Sequence, residues 1–119
     1  EILMTLNPAK FVHLNSGKRY SVDNWPMHKQ VHAVAGVGNP NRFFDLLSRL
    51  GFEFDKNPFP DHHKYNKRDL YYLDHLPILM TEKDAAKCKH FNNSKIWYLS
   101  IEAKIESQFI DRLEEKIND

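Results

Sequence analysis

The sequence has one cysteine, four glycines and no excess of charge of either sign, and each shortage narrows the chemistry. A lone Cys88 cannot close an intrachain disulfide, so no covalent staple is available, as suits a reducing compartment. Seventeen basic side chains oppose sixteen acidic ones, and no block of like charge stands out. Without a basic stripe there is no electrostatic footprint for nucleic acid. The longest apolar stretches, such as Val31 to Val37, fall far short of the ~20 residues that span a bilayer. No secretory signal pattern opens the chain. It begins at Glu1 and reads at once as mid-protein sequence, so a fragment or a processed chain is expected. Neither repeats nor low-complexity segments interrupt the 119 residues, enough for one compact domain.

Residues 1–10 carry no clear periodicity and read as an irregular lead-in. Phe11-Val12-His13-Leu14 and Arg19-Tyr20-Ser21-Val22 flank Asn15-Ser16-Gly17-Lys18, two β-prone runs around a turn, which predicts a hairpin. Residues 1–29 are therefore read as lead-in and hairpin, lying at an edge of the sheet or bridging to another domain. Residues 30–119 follow a different grammar. Val31-His32-Ala33-Val34-Ala35 suits a strand buried on both faces. Asn39 is placed to cap a helix and Pro40 to open it, with Phe43, Phe44, Leu46, Leu47 and Leu50 at helical spacing and Gly51 as its end.

Phe52-Glu53-Phe54 reads as the next strand, followed by a loop through Pro58 and Pro60, since prolines do not join a central ladder. Asn66 and Asp69 suggest a capped short helix running to about Asp74. Pro77 to Met80 and Ile96 to Ile101 read as strands. Thr81-Glu82-Lys83-Asp84 opens a helix towards Lys89, and Phe109, Ile110, Leu113 and Ile117 mark a final amphipathic helix. The alternation implies an α/β fold: a small, mostly parallel sheet flanked by helices in three layers, Rossmann-like, with an N-terminal β-hairpin.

Ligands of open parallel sheets collect beyond the carboxyl ends of the strands, where three polar loops are expected to meet. The first, Gly36-Val37-Gly38-Asn39, precedes a helix N-terminus and offers free backbone N–H groups to an anion. It lacks the third glycine of a dinucleotide fingerprint and the Lys-Ser/Thr pair of a P-loop, so position alone favours a tight strand-to-helix connection. The second, Asp61-His62-His63, pairs imidazole with carboxylate, the equipment of a general base or of its helper. Adjacent side chains point apart, so one histidine at most faces a site. A zinc site using Asp61, His62, His63, His75 or His90 matches no usual ligand spacing, and no metal is assigned. In the third, Thr81 and Lys83 stand at a helix start: a capping box with solvated charges, or a contact to phosphate.

Read in order, these loops resemble one family. His32 to Phe44 resembles the segment HAVAGIGNPxRFF of the tetraacyldisaccharide 4'-kinases. Phe59-Pro60-Asp61-His62-His63 with Asp69-Leu70 is similar to FPDHHxF…DL, with Tyr65 where phenylalanine is common. Met80 to Cys88 resembles MTEKDAVKC, with Ala86 for valine. The resemblance implies the C-terminal portion of an enzyme that moves the γ-phosphate of ATP to the 4'-hydroxyl of a tetraacylated glucosamine disaccharide 1-phosphate, the lipid A disaccharide precursor, giving lipid IVA. It further implies ATP and Mg2+ held mainly by an N-terminal P-loop domain, and peripheral contact with the cytoplasmic face of the inner membrane of Gram-negative bacteria. By the same resemblance His62 assists a catalytic aspartate of the other domain, with Asp61 as its neighbour. Gly36, Gly38, Asn39, Thr81 and Lys83 are candidate substrate- or phosphate-binding residues. No G-x-x-x-x-G-K-[ST] stands in this sequence, so the chain alone is expected to be inactive. A free-standing α/β binding or regulatory domain is the alternative reading.

Overall fold

The computed structural model describes residues 4–105, and side chains from residue 8 to residue 101. Apolar residues alternating along the central strands divide the interior into two halves. In β3 (Gln30–Ala35), Val31, Ala33 and Ala35 enter one cluster with Phe43, Phe44, Leu47, Phe52, Leu79, Trp97 and Leu99. Val34 enters the other, with Tyr65, Leu70, Ile78, Met80, Ala85, Cys88, Phe91 and Ile96. Side chains of successive strand residues point to opposite faces, so a sheet apolar on both faces must be covered on both sides. Helix α1 (Pro40–Arg49) packs on the first side. Helix α2 (Glu82–Ala86) and the loop through Tyr65 and Leu70 pack on the second. Three layers result.

Six strands make one mixed sheet. With β1 (Met4–His13), β2 (Arg19–Ser21), β4 (Glu53–Pro58), β5 (Ile78–Thr81) and β6 (Ile96–Ile105), the order is β2-β1-β6-β5-β3-β4. Strands β6, β5, β3 and β4 run parallel, and the β1–β2 hairpin joins antiparallel through β6. The α/β architecture and the hairpin are as the sequence predicts.

Four boundaries differ. Residues 4–10 are not an irregular lead-in; they are the first half of β1, paired with β6 from Met4 opposite Ile105. Pro8 hid this strand. It sits at a register shift and outside the stretch that β2 covers, the kind of bulge or edge position where a strand tolerates proline. Strand β4 extends to Pro58, opposite Ala35, and can do so because β4 is the sheet edge. The helix expected from Asn66 to Asp74 is a 3-10 turn over Lys67–Leu70, and α2 stops at Ala86 rather than Lys89. The amphipathic segment Phe109 to Ile117 lies outside the described residues.

The end of α1 follows the sequence closely. Gly51 has φ +86, its N–H bonds to the Ser48 carbonyl and the Phe52 N–H to the Leu47 carbonyl, the paired bonds of a Schellman motif whose left-handed position favours glycine. The start of α1 does not follow it: Pro40 opens the helix, but the Asn39 side chain makes no capping bond.

One polar residue breaks the apolar pattern of β3. His32 is buried, with Nδ1 2.9 Å from Asp55 and Nε2 2.8 Å from Asp74, and its ring stacks on Tyr72 at 3.7 Å. The two carboxylates meet different nitrogens of the ring. Burial, followed by the charges of Asp55 and Asp74, pushes the Tyr72 phenol up to about 12.

Leu79 sits fully buried in β5, between β3 and β6. Leu79→Ala is expected to lower the stability of the chain by about 2–5 kcal/mol, because the neighbouring strands cannot close the void. Leu73→Ala, at a side chain 90% exposed, should change it by less than about 0.5 kcal/mol. Urea midpoints of the two variants check the contrast.

Candidate functional site

Because β3, β4 and β5 are parallel neighbours, the segments leaving them start from the same edge of the sheet. The Gly36 turn follows β3, the loop of Asp61 and His62 follows β4, and Thr81 ends β5. Side-chain geometry confirms that these three segments meet. The Gly36 N–H donates to Asp84 Oδ2 at 3.0 Å. A Cβ on Gly36 would lie 2.6 Å from the Tyr65 hydroxyl and 3.4 Å from Phe59 Cβ, and one on Gly38 would lie 3.5 Å from Asp61 Oδ2. Close approach of side chains from the β4 loop therefore requires glycine at position 36.

The two neighbouring histidines have opposite surroundings. His63 is partly buried, with Nε2 2.9 Å from Asp69 Oδ2, its ring stacked on Phe59 and meeting Tyr65 edge-on. Asp69 also accepts the Asn66 N–H, while the Asn66 side chain accepts the Asp69 N–H, a reciprocal capping box. His63 is thus an anchor of the loop. The His62 side chain is 82% exposed, with Nε2 3.7 Å from Asp61 Oδ2, and the Asp61 carboxylate also accepts the His62 N–H at 3.0 Å. His62 has φ +63, and among the described residues it alone combines positive φ with a side chain. A bulky residue held there carries backbone strain of about 1–3 kcal/mol. The anchor on one side and the strained backbone on the other leave the His62 ring projecting outward beside Asp61.

At the third segment, the Asp84 N–H donates to Thr81 Oγ1 at 3.1 Å and the Thr81 hydroxyl donates to Asp84 Oδ2 at 2.6 Å. Thr81 therefore caps α2, as the sequence suggests. The acids of this segment are not all solvated, however: Asp84 is completely buried. Lys83 is exposed on α2, and Gly38 and Asn39 are exposed on the first turn. Burial, reinforced by the Asp84 charge, pushes the Tyr65 phenol above its ordinary range. The same two causes push the Cys88 thiol up to about 11, so that cysteine is a packing residue rather than a nucleophile.

The sequence places Gly36, Gly38, Asn39, Asp61, His62, Thr81 and Lys83 in three loops at one rim, and the structure brings those loops together. Sequence reasoning passed over Asp84 and Tyr65, which hold the rim together. It also passed over His32, Asp55 and Asp74. Among the described residues no three His, Cys, Asp or Glu side chains gather as a metal cage, and no helix is long and apolar enough to cross a membrane.

Fold and rim together define an α/β domain that presents an exposed imidazole–carboxylate pair at the carboxyl edge of a parallel sheet, next to a glycine turn and a helix start. The family model for tetraacyldisaccharide-1-P 4'-kinase matches residues 1–118, and the chain belongs to that family. A tetraacyldisaccharide 4'-kinase of Ectopseudomonas mendocina is 42% identical over 94% of this chain and 34% of its own length. One from Legionella pneumophila is 44% identical over 89% of the chain and 32% of its own length. The crystal structure of an Aquifex aeolicus LpxK in complex with ATP has the same fold, with a TM-score of 0.68, 21% identity, and coverage of 98% of this chain and 36% of that one. The chain thus spans about a third of the length of the relatives it matches.

The Asp69 carboxyl is raised by its partial burial, but the Asn66 N–H and the His63 ring outweigh this and hold it below its ordinary value of 3.8. A carboxyl whose folded-state pKa is depressed contributes stability above its unfolded value and loses it as pH falls through the folded one. Urea midpoints taken from about pH 7 down to about pH 2 should therefore fall, and Asp69→Asn should flatten that fall. An unchanged acid limb in Asp69→Asn would count against the His63–Asp69 anchor.

Proposed function

We propose that this chain is the C-terminal part of a kinase that transfers the γ-phosphate of ATP to the 4'-hydroxyl of a tetraacylated glucosamine disaccharide 1-phosphate, giving lipid IVA. Family membership supports the reaction class. The single structural observation behind the assignment is the His62 ring, exposed beside Asp61 at the strand-end rim. Phosphoryl transfer asks a protein chiefly for positioning and charge stabilisation, and a ring held outward by a strained backbone suits a cleft completed by another domain.

In this reading His62 stabilises the active state of a catalytic aspartate on the P-loop domain, and Asp61 orients His62. The Gly36–Asn39 turn, Thr81 and Lys83 face the phosphate-bearing side of the cleft, where backbone N–H groups at the start of α1 favour an anion. ATP, bound with Mg2+, supplies the phosphoryl group. The donor set of this chain does not by itself fit a nucleotide triphosphate, because the glycine turn has no lysine-serine or lysine-threonine pair after it. Nucleotide and metal accordingly belong mainly to the P-loop domain. Residues 30–119 are read as the α/β C-terminal domain, and residues 1–29, whose β1–β2 hairpin joins the same sheet, as the bridge towards that partner. The whole enzyme works at the cytoplasmic face of the inner membrane, in peripheral contact with it, where its acylated substrate resides.

Two measurements test the reading. ATP titrated by calorimetry into this chain alone gives no tight binding; micromolar affinity would place the nucleotide here and refute the division of labour. In the full-length protein, His62→Ala depresses turnover by a factor of about 10²–10⁴, the usual range for an acid–base group, and leaves the Michaelis constant for ATP close to its original value. Unchanged turnover removes His62 from the mechanism.

A further inference from the structure

A buried carboxylate that touches two loops at once is poorly explained by helix capping alone. Asp84 is fully buried, yet its Oδ2 accepts from the Gly36 N–H of one loop as well as from the Thr81 hydroxyl beside it. Its Oδ1 and the Tyr65 hydroxyl are both buried without a hydrogen-bond partner among the described residues, and both lie close to the empty Cβ position of Gly36, at 3.2 and 2.6 Å. An acceptor and a donor thus face the same small space from two different loops. Buried polar groups in native structures are ordinarily satisfied, and the Tyr65 hydroxyl is placed to donate towards Asp84; burial, helped by the Asp84 charge, raises the phenol. Tyr65 stands three residues beyond His62 and meets the anchoring ring of His63 edge-on.

We infer that Asp84 is a positioning residue for catalysis: through the Gly36 N–H on one side and the Tyr65 hydroxyl on the other it fixes the loop that presents His62 relative to the glycine turn. Asp84 touches no reacting atom; it acts through Gly36 and Tyr65. The inference rests on the proposed phosphoryl transfer. It assigns to the third sequence segment a role different from phosphate contact by Lys83 or simple capping by Thr81. It also explains the need for glycine at position 36, since a methyl group there would collide with the Tyr65 hydroxyl.

The test uses the full-length protein. Asp84→Asn keeps the shape but sets an amide in place of the carboxylate. It is expected to lower kcat between tenfold and about a hundredfold, the cost of misplacing a catalytic group by about an ångström, with the Michaelis constant for ATP unchanged. Wild-type kcat in Asp84→Asn overturns the inference. If Asp84→Asn fails to fold, a milder cycle decides. Gly36→Ala lowers kcat by crowding Tyr65, and Gly36→Ala with Tyr65→Phe, which removes the obstructing hydroxyl, recovers part of it. Strictly additive losses in that cycle overturn the coupling. If the wild-type protein transfers no phosphate, the functional reading falls separately, and NMR decides this one. In Tyr65→Phe and in Gly36→Ala the amide signals of position 36 and of His62 should shift together. A shift at the substituted loop alone overturns the inference.

Discussion

A carboxylate taken out of water must find donors inside the protein, because leaving a charge unmet in a low-dielectric interior costs several kcal/mol. Asp84 is in that position, and the donors it finds come from different segments: the Gly36 N–H after β3 and the Thr81 hydroxyl at the end of β5. The arrangement of the rim follows from this need. The β3 turn cannot drift from the β5 terminus without stripping a bond from a buried charge. The β4 loop cannot drift either, because Tyr65 packs into the space that glycine leaves at position 36. The sheet brings the three segments to one edge, and the buried charge holds them in register there.

The fold was legible wherever a physical rule acts locally. The apolar run of β3, the proline that opens α1 and the Gly51 that ends it each follow from a few neighbouring residues, and they appear as read. Strand β1 was not legible before Phe11. Pro8 argues against a strand, and the pairing that overrides it comes from β6, almost the length of the chain away. Propensity is a weak prior against tertiary pairing of that kind. Strand β4 reached Pro58 for a related reason: whether a strand lies at an edge depends on the sheet order, which local sequence does not contain.

The site was legible in its exposed parts and hidden in its buried ones. Asp61 and His62 stand next to each other and announce their chemistry by residue type. Asp84 and Tyr65 lie 19 positions apart in the sequence and acquire meaning only when packing brings them to the same glycine. His32 shows the same limit. Within Val31 to Ala35 it looks like a polar intruder in an apolar strand, and its two carboxylate neighbours, on β4 and in the loop before β5, are far off in the chain. A polar group can enter a core if its hydrogen-bonding positions are answered. The answering residues are the part that a linear reading misses.

The contrast between His62 and His63 explains how a surface loop can hold a reactive group in a fixed place. An exposed ring on a flexible loop samples many positions, and most of the advantage of proximity is lost with them. Here the neighbouring ring is bonded to Asp69, stacked on Phe59 and set edge-on against Tyr65, and Asp69 itself is tied to Asn66. The loop is therefore constrained just beyond the exposed ring. The left-handed backbone at His62 then turns that side chain away from the packed side. Strain of this kind persists only where the surroundings over-determine it, and His63 together with Tyr65 provides those surroundings. One histidine is spent on structure so that its neighbour can stay exposed without being free.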